Sequence, residues 1–458
     1  MKIIILGAGQ VGLSMAEILS RENNDITLVD SNQTELSGLQ DRLDIRTVHG
    51  SASYPEILEQ AGMEDADLVL AVTDKDEVNM TACQIAWTLF KTPKKIARIR
   101  AQEYLTHPEI FCNEAVPVDV IISPEALVTE QVLRLIEYPG ALQVVDFAGG
   151  KIQLVAVKAY SGSPMVNHRV RELREHLPDT DARVAAIYRK ESAIIPTGDT
   201  VIESGDEVFF VAAHADIPKV MQELLSVSKP GRKIILAGAG NIGFRLAQTL
   251  EKYNYQTKLI ELNKNRAQYV SERLENTVVL SGNVADEELL IQENIENTEV
   301  YCALTNDDEA NILSAMLAKQ LGANRVMSLV NRPAYVDLMQ SSVLDVALSP
   351  RLATIGSLLA HVRRGDVVAV HSLRRGAAEA IEAIAHGDPE NSRVVGKRID
   401  QIDLPQGASI GAILRGNDVL IAHDNIVIEA KDHVIIFVVD KTHIPKIERL
   451  FQVAATFI

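Results

Sequence analysis

Cysteine is scarce in this sequence of 458 residues: three stand at 83, 112 and 302, an odd number with no Cys-x-x-Cys pair. That excludes a disulfide framework and a paired-cysteine zinc site, and it fits a reducing cytoplasm. Aromatic residues make up 4 % of the chain, too few for a surface on which bases stack. Cations are the minority charge, 45 Lys and Arg against 62 Asp and Glu, for a net −17. A nucleic-acid backbone requires clustered cations, so no nucleic-acid partner is expected. An anionic lipid surface would repel the same charge, so membrane association has to run through a protein. No apolar run approaches the roughly 18 residues of a spanning helix. The apolar start, Met1 to Leu6, is cut short by Gly7 and Gly9 and reads as a strand rather than a leader. Also missing are the Gly-x-x-x-x-Gly-Lys-Ser/Thr loop of nucleotide hydrolases and a His, Lys or Tyr constellation of the kind that lets a dehydrogenase act on a carbonyl. The expectation is a protein without catalytic residues or a metal.

What the sequence does contain is itself, twice. Lys2-Ile3-Ile4-Ile5-Leu6-Gly7-Ala8-Gly9-Gln10-Val11-Gly12 returns as Lys233-Ile234-Ile235-Leu236-Ala237-Gly238-Ala239-Gly240-Asn241-Ile242-Gly243, an offset of 231. Asp30, closing an apolar run, returns at the same offset as Glu261, and the stretch Ala71 to Asn79 returns as Ala303 to Asn311 at an offset of 232. Val166, Arg189 and Glu203 pair with Val395, Arg415 and Glu429 at 229, 226 and 226. The chain is therefore a tandem duplication of a long unit joined at Lys229-Pro230-Gly231.

Each unit opens with short buried-strand runs (Ile3 to Leu6, Ile26 to Val29, Leu68 to Val72, Val118 to Ile122) alternating with helix-period segments. That pattern predicts an α/β fold, a Rossmann-like doubly wound parallel sheet over 1–123 and again over 232–348. A further helix follows in each half, within 124–142 and 349–367, as an arm beyond the sheet. Residues 143–227 and 368–453 then turn to short strands separated by turn chemistry, small α+β modules with a terminal helix. The linker is 228–231.

The Gly-x-Gly-x-x-Gly loops carry the chemistry. In each, the first glycine permits a tight turn, the second lets backbone approach a pyrophosphate, and the third packs the helix on the sheet. Candidate ligand contacts are thus Gly7, Ala8, Gly9, Gln10, Val11 and Gly12, with Gly238, Ala239, Gly240, Asn241, Ile242 and Gly243 as the second set. Asp30 and Glu261 are placed to accept hydrogen bonds from ribose hydroxyls and to repel a 2′-phosphate. One isolated loop could belong to a fold that has lost its pocket, but two copies, each with loop and acid, argue for retained sites. Thr73-Asp74 and Thr305-Asn306 fall where the fourth strand of each sheet ends. Asp74 and Asn306 also read as the start of capping boxes with Glu77 and Glu309. Arg98 and Arg100 alternate on one face of the fifth strand, where cations are costly unless they meet an anion or an acid pair. Pairing Ile96 with Val326 sets Ser328 and Val330 in their places, so the two sites should differ in nucleotide preference. The arginine-rich stretch from His361 to Arg375 reads as a solvated junction, with a partner contact as the alternative.

The duplicated pattern, with the loop Gly7 to Gly12, Asp30, Thr73-Asp74 and the stretch Ser349-Pro350-Arg351-Leu352-Ala353-Thr354-Ile355, resembles the TrkA family, peripheral subunits of bacterial Trk potassium uptake. The resemblance covers essentially the whole chain. It implies two RCK (regulating conductance of K⁺) units, each with a nucleotide-binding subdomain, a crossover helix and a C-terminal subdomain. It also implies binding of NAD⁺ and NADH, with ATP and ADP as candidate competitors, at Gly7 to Val11, Asp30, Thr73, Asp74 and Arg98. The second set lacks the strand arginines. Further implied are a homo-oligomeric ring of RCK units, a Trk-type potassium-translocating integral membrane subunit as partner, and a peripheral position on the cytoplasmic face of the bacterial inner membrane. Readings from other classes are an NAD-dependent oxidoreductase and a regulator of another cation transporter such as an antiporter.

Overall fold

The computed structural model describes residues 1–22, 24–190, 192–225, 232–332, 335, 344–362, 367–423 and 425–452. The Lys229-Pro230-Gly231 joint, Arg363 and Arg364 lie outside the described residues, as does the side chain of Arg375.

Strands β1 (Lys2–Leu6), β2 (Asp25–Asp30), β3 (Arg46–His49), β4 (Leu68–Ala71), β5 (Lys94–Arg98) and β6 (Val120–Ile122) form a parallel sheet in the order β3-β2-β1-β4-β5-β6. The order reverses at β1, between β2 and β4, and in a doubly wound sheet such a reversal opens a crevice at the strands' carboxyl ends. Ile3 to Leu6 and Leu68 to Ala71 are wholly buried, as strands covered on both faces must be. Edge strand β3 is exposed at Arg46 and His49 and buried only at Val48, so it carries no apolar run for the sequence to display.

Antiparallel strands follow: β7 (Ala141–Phe147), β8 (Ile152–Lys158), β9 (Ala182–Arg189), β10 (Ser192–Ile194) and β11 (Glu207–Ala213), ordered β10-β9-β11-β8-β7 and finished by the helix Ile217–Leu224. The second half repeats both parts. Its parallel sheet, β12 (Lys233–Ala237), β13 (Gln256–Glu261), β14 (Val278–Ser281), β15 (Val300–Ala303), β16 (Arg325–Leu329) and β17 (Val346–Leu348), has the order β14-β13-β12-β15-β16-β17. Its antiparallel sheet, β18 (Val367–Leu373), β19 (Ala378–Ile384), β20 (Ala408–Arg415), β21 (Asp418–Ile421) and β22 (His433–Val438), ends in the helix Ile444–Phe451.

The chain divides into two compact units, Met1–Leu127 with Ala353–Val362, and Val128–Leu352 with Arg363–Ile458. The first therefore contains the β1–β6 sheet together with most of the helix Pro350–Val362 from the other repeat, where Lys94 Nζ donates to His361 O at 2.6 Å. In the second, Val128, Val132, Leu135 and Ile136 of the helix Pro124–Glu137 share a buried core with Ile234, Leu236 and Leu329 of the β12–β17 sheet. There Arg325 donates to Leu135 O at 2.6 Å and also to Ala141 O. Lys94 and Arg325 are repeat-equivalent, so each parallel sheet receives the other repeat's helix and binds its carboxyl end with a cation, where a helix leaves carbonyls unpaired.

Within the second unit the two antiparallel sheets share one core, in which Phe209 and Phe437 lie 5.8 Å apart. Each sheet keeps the same ion cluster. Arg189 binds Asp206 bidentately at 3.0 and 2.9 Å and also pairs with Glu203, and Arg415 binds Asp432 at 2.9 and 2.8 Å and pairs with Glu429. Arg374, from the stretch read as a solvated junction, is instead mostly buried, with its Nε 3.1 Å from Glu207 and its guanidinium 4.4 Å from the Tyr188 ring.

Candidate functional site

The two glycine loops have nearly the same geometry. Gly7 sits at φ +107° and Gly238 at +104°, where an L side chain is strained, and a Cβ on either would reach within 3.0 Å of Thr73 or Thr305. A Cβ on Gly12 would lie 1.8 Å from Gly7 O, and one on Gly243 2.0 Å from Gly238 O. These glycines are required by close packing alone. Gly9 and Gly240 are different: a Cβ there would meet nothing within 4 Å. Packing leaves that space free at the head of the helices Gln10–Ser20 and Asn241–Lys252, neither of which has a side-chain cap. Free N–H groups at a helix start beside an open cradle suit an anionic phosphate, so the residues fit the group the motif implies. Gln10 and Asn241 are exposed at these helix starts, and Val11 and Ile242 follow them.

Each acid holds its loop. Ala8 N–H donates to Asp30 Oδ2 at 2.6 Å and Asn32 N–H to Oδ1 at 2.7 Å; Ala239 and Asn263 do the same to Glu261 Oε2 and Oε1, both at 2.8 Å. A carboxylate has about four lone-pair positions, so two remain for hydroxyls of a ribose. The acid thus has a structural role besides the one the sequence suggests.

Across the crevice, Thr73 is fixed by a residue that sequence reasoning did not single out. Asn79, fully buried, accepts from Thr73 N at 2.9 Å and Oγ1 at 2.7 Å, and donates to Thr73 O and Arg98 O. Asn311 does the same for Thr305 and Leu329 O. Buried Asp76 accepts from Arg100 and Ala101 N–H, and Asp308 from Asn331 and Arg332 N–H. The repeat displayed the asparagine pair, but only the fold shows what these side chains tie together. Asp74 and Asn306 are exposed at the mouth. They do not start capping boxes: the helix Asp76–Phe90 has Lys75 at its cap with no side-chain bond, and Asp308–Gln320 is capped by Asp307, which accepts from Ala310 N–H at 2.8 Å. The helices begin one residue later than the motif suggested.

The strand register also corrects the pairing of the arginines. Ala71 lies opposite Ala97, and its equivalent Ala303 opposite Ser328, so Arg98 corresponds to Leu329 and Arg100 to Asn331, rather than to Ser328 and Val330. Strand β5 ends at Arg98, so Arg100 lies beyond the strand and does not share a strand face with it. Arg100 Nε bonds Glu125 at 2.9 Å, whereas Arg98 Nη2 bonds Thr73 O at 2.7 Å and its buried Nε has no partner. Burial, then the charge of Arg100, pulls the Arg98 guanidinium below its ordinary value against the opposing carboxylates of Glu125, Asp76 and Asp74. In the second half the cation sits elsewhere: Arg266 Nε donates to Ala239 O at 2.8 Å.

Among the described residues no group of three or more His, Cys, Asp or Glu could hold a metal, and no helix is long and apolar enough to cross a membrane. Buried Cys83 and Cys302 are small packing residues whose thiols burial pushes up to about 12, whereas Cys112 is exposed.

The TrkA-N domain family matches residues 3–124 and 234–350, and the TrkA-C domain family matches 154–225 and 388–452. The Trk system potassium uptake protein TrkA of Halomonas elongata is 60 % identical over the full length of both chains, that of Vibrio alginolyticus 58 %, and that of Haemophilus influenzae 50 %, also over both full lengths. The chain belongs to the TrkA family. Among solved structures, the GsuK RCK domain superposes with a TM-score of 0.61 at 18 % identity, covering 96 % of this chain and 93 % of that one. The GsuK channel bound to NAD gives 0.60 at 18 %, covering 98 % and 78 %. These likenesses establish the tandem RCK fold, with two Rossmann-like sheets, for the TrkA-family chain described here.

Proposed function

We propose that this chain is a nucleotide-binding regulatory subunit of a Trk-type potassium uptake system, peripheral on the cytoplasmic face of the bacterial inner membrane, acting as a homo-oligomeric ring of RCK units. The observation that carries the reading is that both loops keep an open cradle at the middle glycine and an acid with lone pairs to spare. The full-length relatives are named for Trk potassium uptake, and a solved structural neighbour is described as bound to NAD. Proposed ligands are NAD⁺ or NADH, with ATP and ADP as competitors.

In the first site the N–H groups at the head of Gln10–Ser20 bind phosphate, Asp30 accepts from ribose, Thr73 and Asp74 meet the far end of the ligand, and Arg98 turns its unsatisfied Nε toward an anion; Arg100 remains with Glu125. Gly238 to Gly243, Glu261, Thr305 and Asn306 do the corresponding work in the second. No residue is assigned to catalysis. A nucleotide bound across the crevice favours one arrangement of neighbouring units, and a transporter docked on the ring responds to the shift in population. Each tenfold difference in affinity between arrangements supplies about 1.4 kcal/mol.

The test is potassium uptake into vesicles holding a Trk-type membrane subunit, with the chain and each nucleotide added in turn. Nucleotide-dependent uptake that disappears in Gly9→Asp with Gly240→Asp supports the reading. Uptake indifferent to the chain overturns it, and oxidation of NADH by the chain, followed at 340 nm with carbonyl substrates, would support the oxidoreductase instead.

A further inference from the structure

The two loops of the chain are an internal control for each other, and they differ most in where the positive charge is placed. Arg266 sits in the helix Lys264–Ser271 that follows the ribose-side strand β13. Its Nε donates to Ala239 O inside the glycine loop at 2.8 Å, and its guanidinium lies 4.9 Å from the Tyr269 ring and 5.7 Å from that of Phe244. The two rings, themselves 6.4 Å apart, lie side by side against the group, and the loop carbonyl holds its Nε. No carboxylate lies within ion-pair distance of it among the described residues. At an offset of 231 the first repeat has Leu13, Glu35 and Gly38 where the second has Phe244, Arg266 and Tyr269. Across the crevice the relation inverts, because Arg98 of the first site corresponds to buried Leu329 of the second.

We propose that Arg266 is the specificity-determining cation of the second site and selects a nucleoside diphosphate over a dinucleotide there; this rests on the loop being a nucleotide site, as proposed above. The terminal phosphate of ADP carries close to two negative charges, while each phosphate of NADH carries one. A pre-set guanidinium beside the loop rewards that difference, since planar, bidentate binding of phosphate is what arginine does better than lysine. In the first site the loop side carries Asp30 and Glu35 and no cation of this kind, and the positive group stands at the far strand ends, within reach of a longer ligand.

The experiment is calorimetric titration of the full chain with ADP and with NADH in a Gly9→Asp background, which silences the first loop. Arg266→Ala is expected to weaken ADP at the remaining site by a factor of about 10 or more and to change NADH by much less. Arg266→Lys, which keeps the charge and loses the fork, should fall between and guards against misfolding of the alanine variant. Equal losses for both ligands, or no loss of ADP affinity, overturn the inference. Adding Gly240→Asp separates the two claims: if it removes the remaining binding while Arg266→Ala spares discrimination, the site stands and the role of Arg266 falls. If it removes nothing, the loop is not the nucleotide site, and both fall.

Discussion

Single side chains in this molecule often serve two purposes. The Asp30 carboxylate fastens the loop through Ala8 and Asn32, besides the ribose contact proposed for it. Asp30→Ala should therefore cost stability as well as affinity: two backbone donors lose their acceptor, one at a buried residue, at about 1–3 kcal/mol, and one nucleotide per chain should disappear from the calorimetric stoichiometry. Glu261→Ala should remove the other. A variant that keeps its stability and both stoichiometries would show that the acids touch neither loop nor ligand. His371 offers a separate reading of burial. Its ring packs edge-on against Phe147 at 5.1 Å, and burial, reinforced by Arg134 and opposed by Glu130, pushes its pKa down to about 4. The unfolded imidazole takes up a proton near pH 6.5 while the folded one resists until about 4. Over that window the unfolded chain binds more protons, so this residue's contribution to stability falls as pH falls. Urea unfolding at pH 7 and pH 5 should show a smaller pH-dependent loss in His371→Phe than in the unsubstituted chain; an equal loss would mean that the imidazole is solvated.

The elements with one partner sheet were legible, and the exchanged ones were not. A helix over Pro124–Glu137 follows from its apolar spacing, but nothing local says that Val128, Val132 and Leu135 pack with Ile234 and Leu236, from the next repeat. The cations that hold the exchange, Lys94 and Arg325, are repeat-equivalent in sequence yet have no visible partner there, because those partners are backbone carbonyls. This gives a reciprocal prediction. Lys94→Met should speed amide hydrogen exchange at the end of the helix Pro350–Val362 and leave Val128–Glu137 unchanged, and Arg325→Met should do the opposite. Arg325, with two carbonyls to satisfy, should cost the more, about 1–3 kcal/mol. Loosening of the wrong helix in either variant would refute the exchange. Edge strands β3 and β14 were illegible for a different reason: β3 has one aliphatic residue, Val48, and β14 only three, Val278 to Leu280, too short a run to stand out. The site divides the same way. Loop and acid were readable because glycine geometry and a strand-end acid are local features. The locks at Asn79 and Asn311, the one-residue shift of the arginine pairing and the position of Arg266 all depend on register and on neighbours far along the chain.

At the scale of the whole chain, charge and hydrophobicity constrain how it can meet a membrane. It carries a net −17, and no described helix is long and apolar enough to span a bilayer. Anionic lipid would repel such a surface, most strongly at low salt where screening is weakest, so the proposed membrane association is expected to run through a protein. The chain should therefore remain in the supernatant with bare anionic vesicles at every ionic strength, and should sediment with vesicles that hold a Trk-type membrane subunit. On the proposed function two nucleotide sites per chain act on one ring, and their differential affinities would add as free energies. Each site that prefers the docked arrangement tenfold contributes about 1.4 kcal/mol, so with ADP and NADH both present silencing one loop should remove that loop's share of the nucleotides' effect on the logarithm of the sedimentation equilibrium, and silencing both should remove all of it. Sedimentation with bare vesicles would place the membrane contact on this chain instead, and an effect that survives loss of both loops would place the regulatory ligand elsewhere in the molecule.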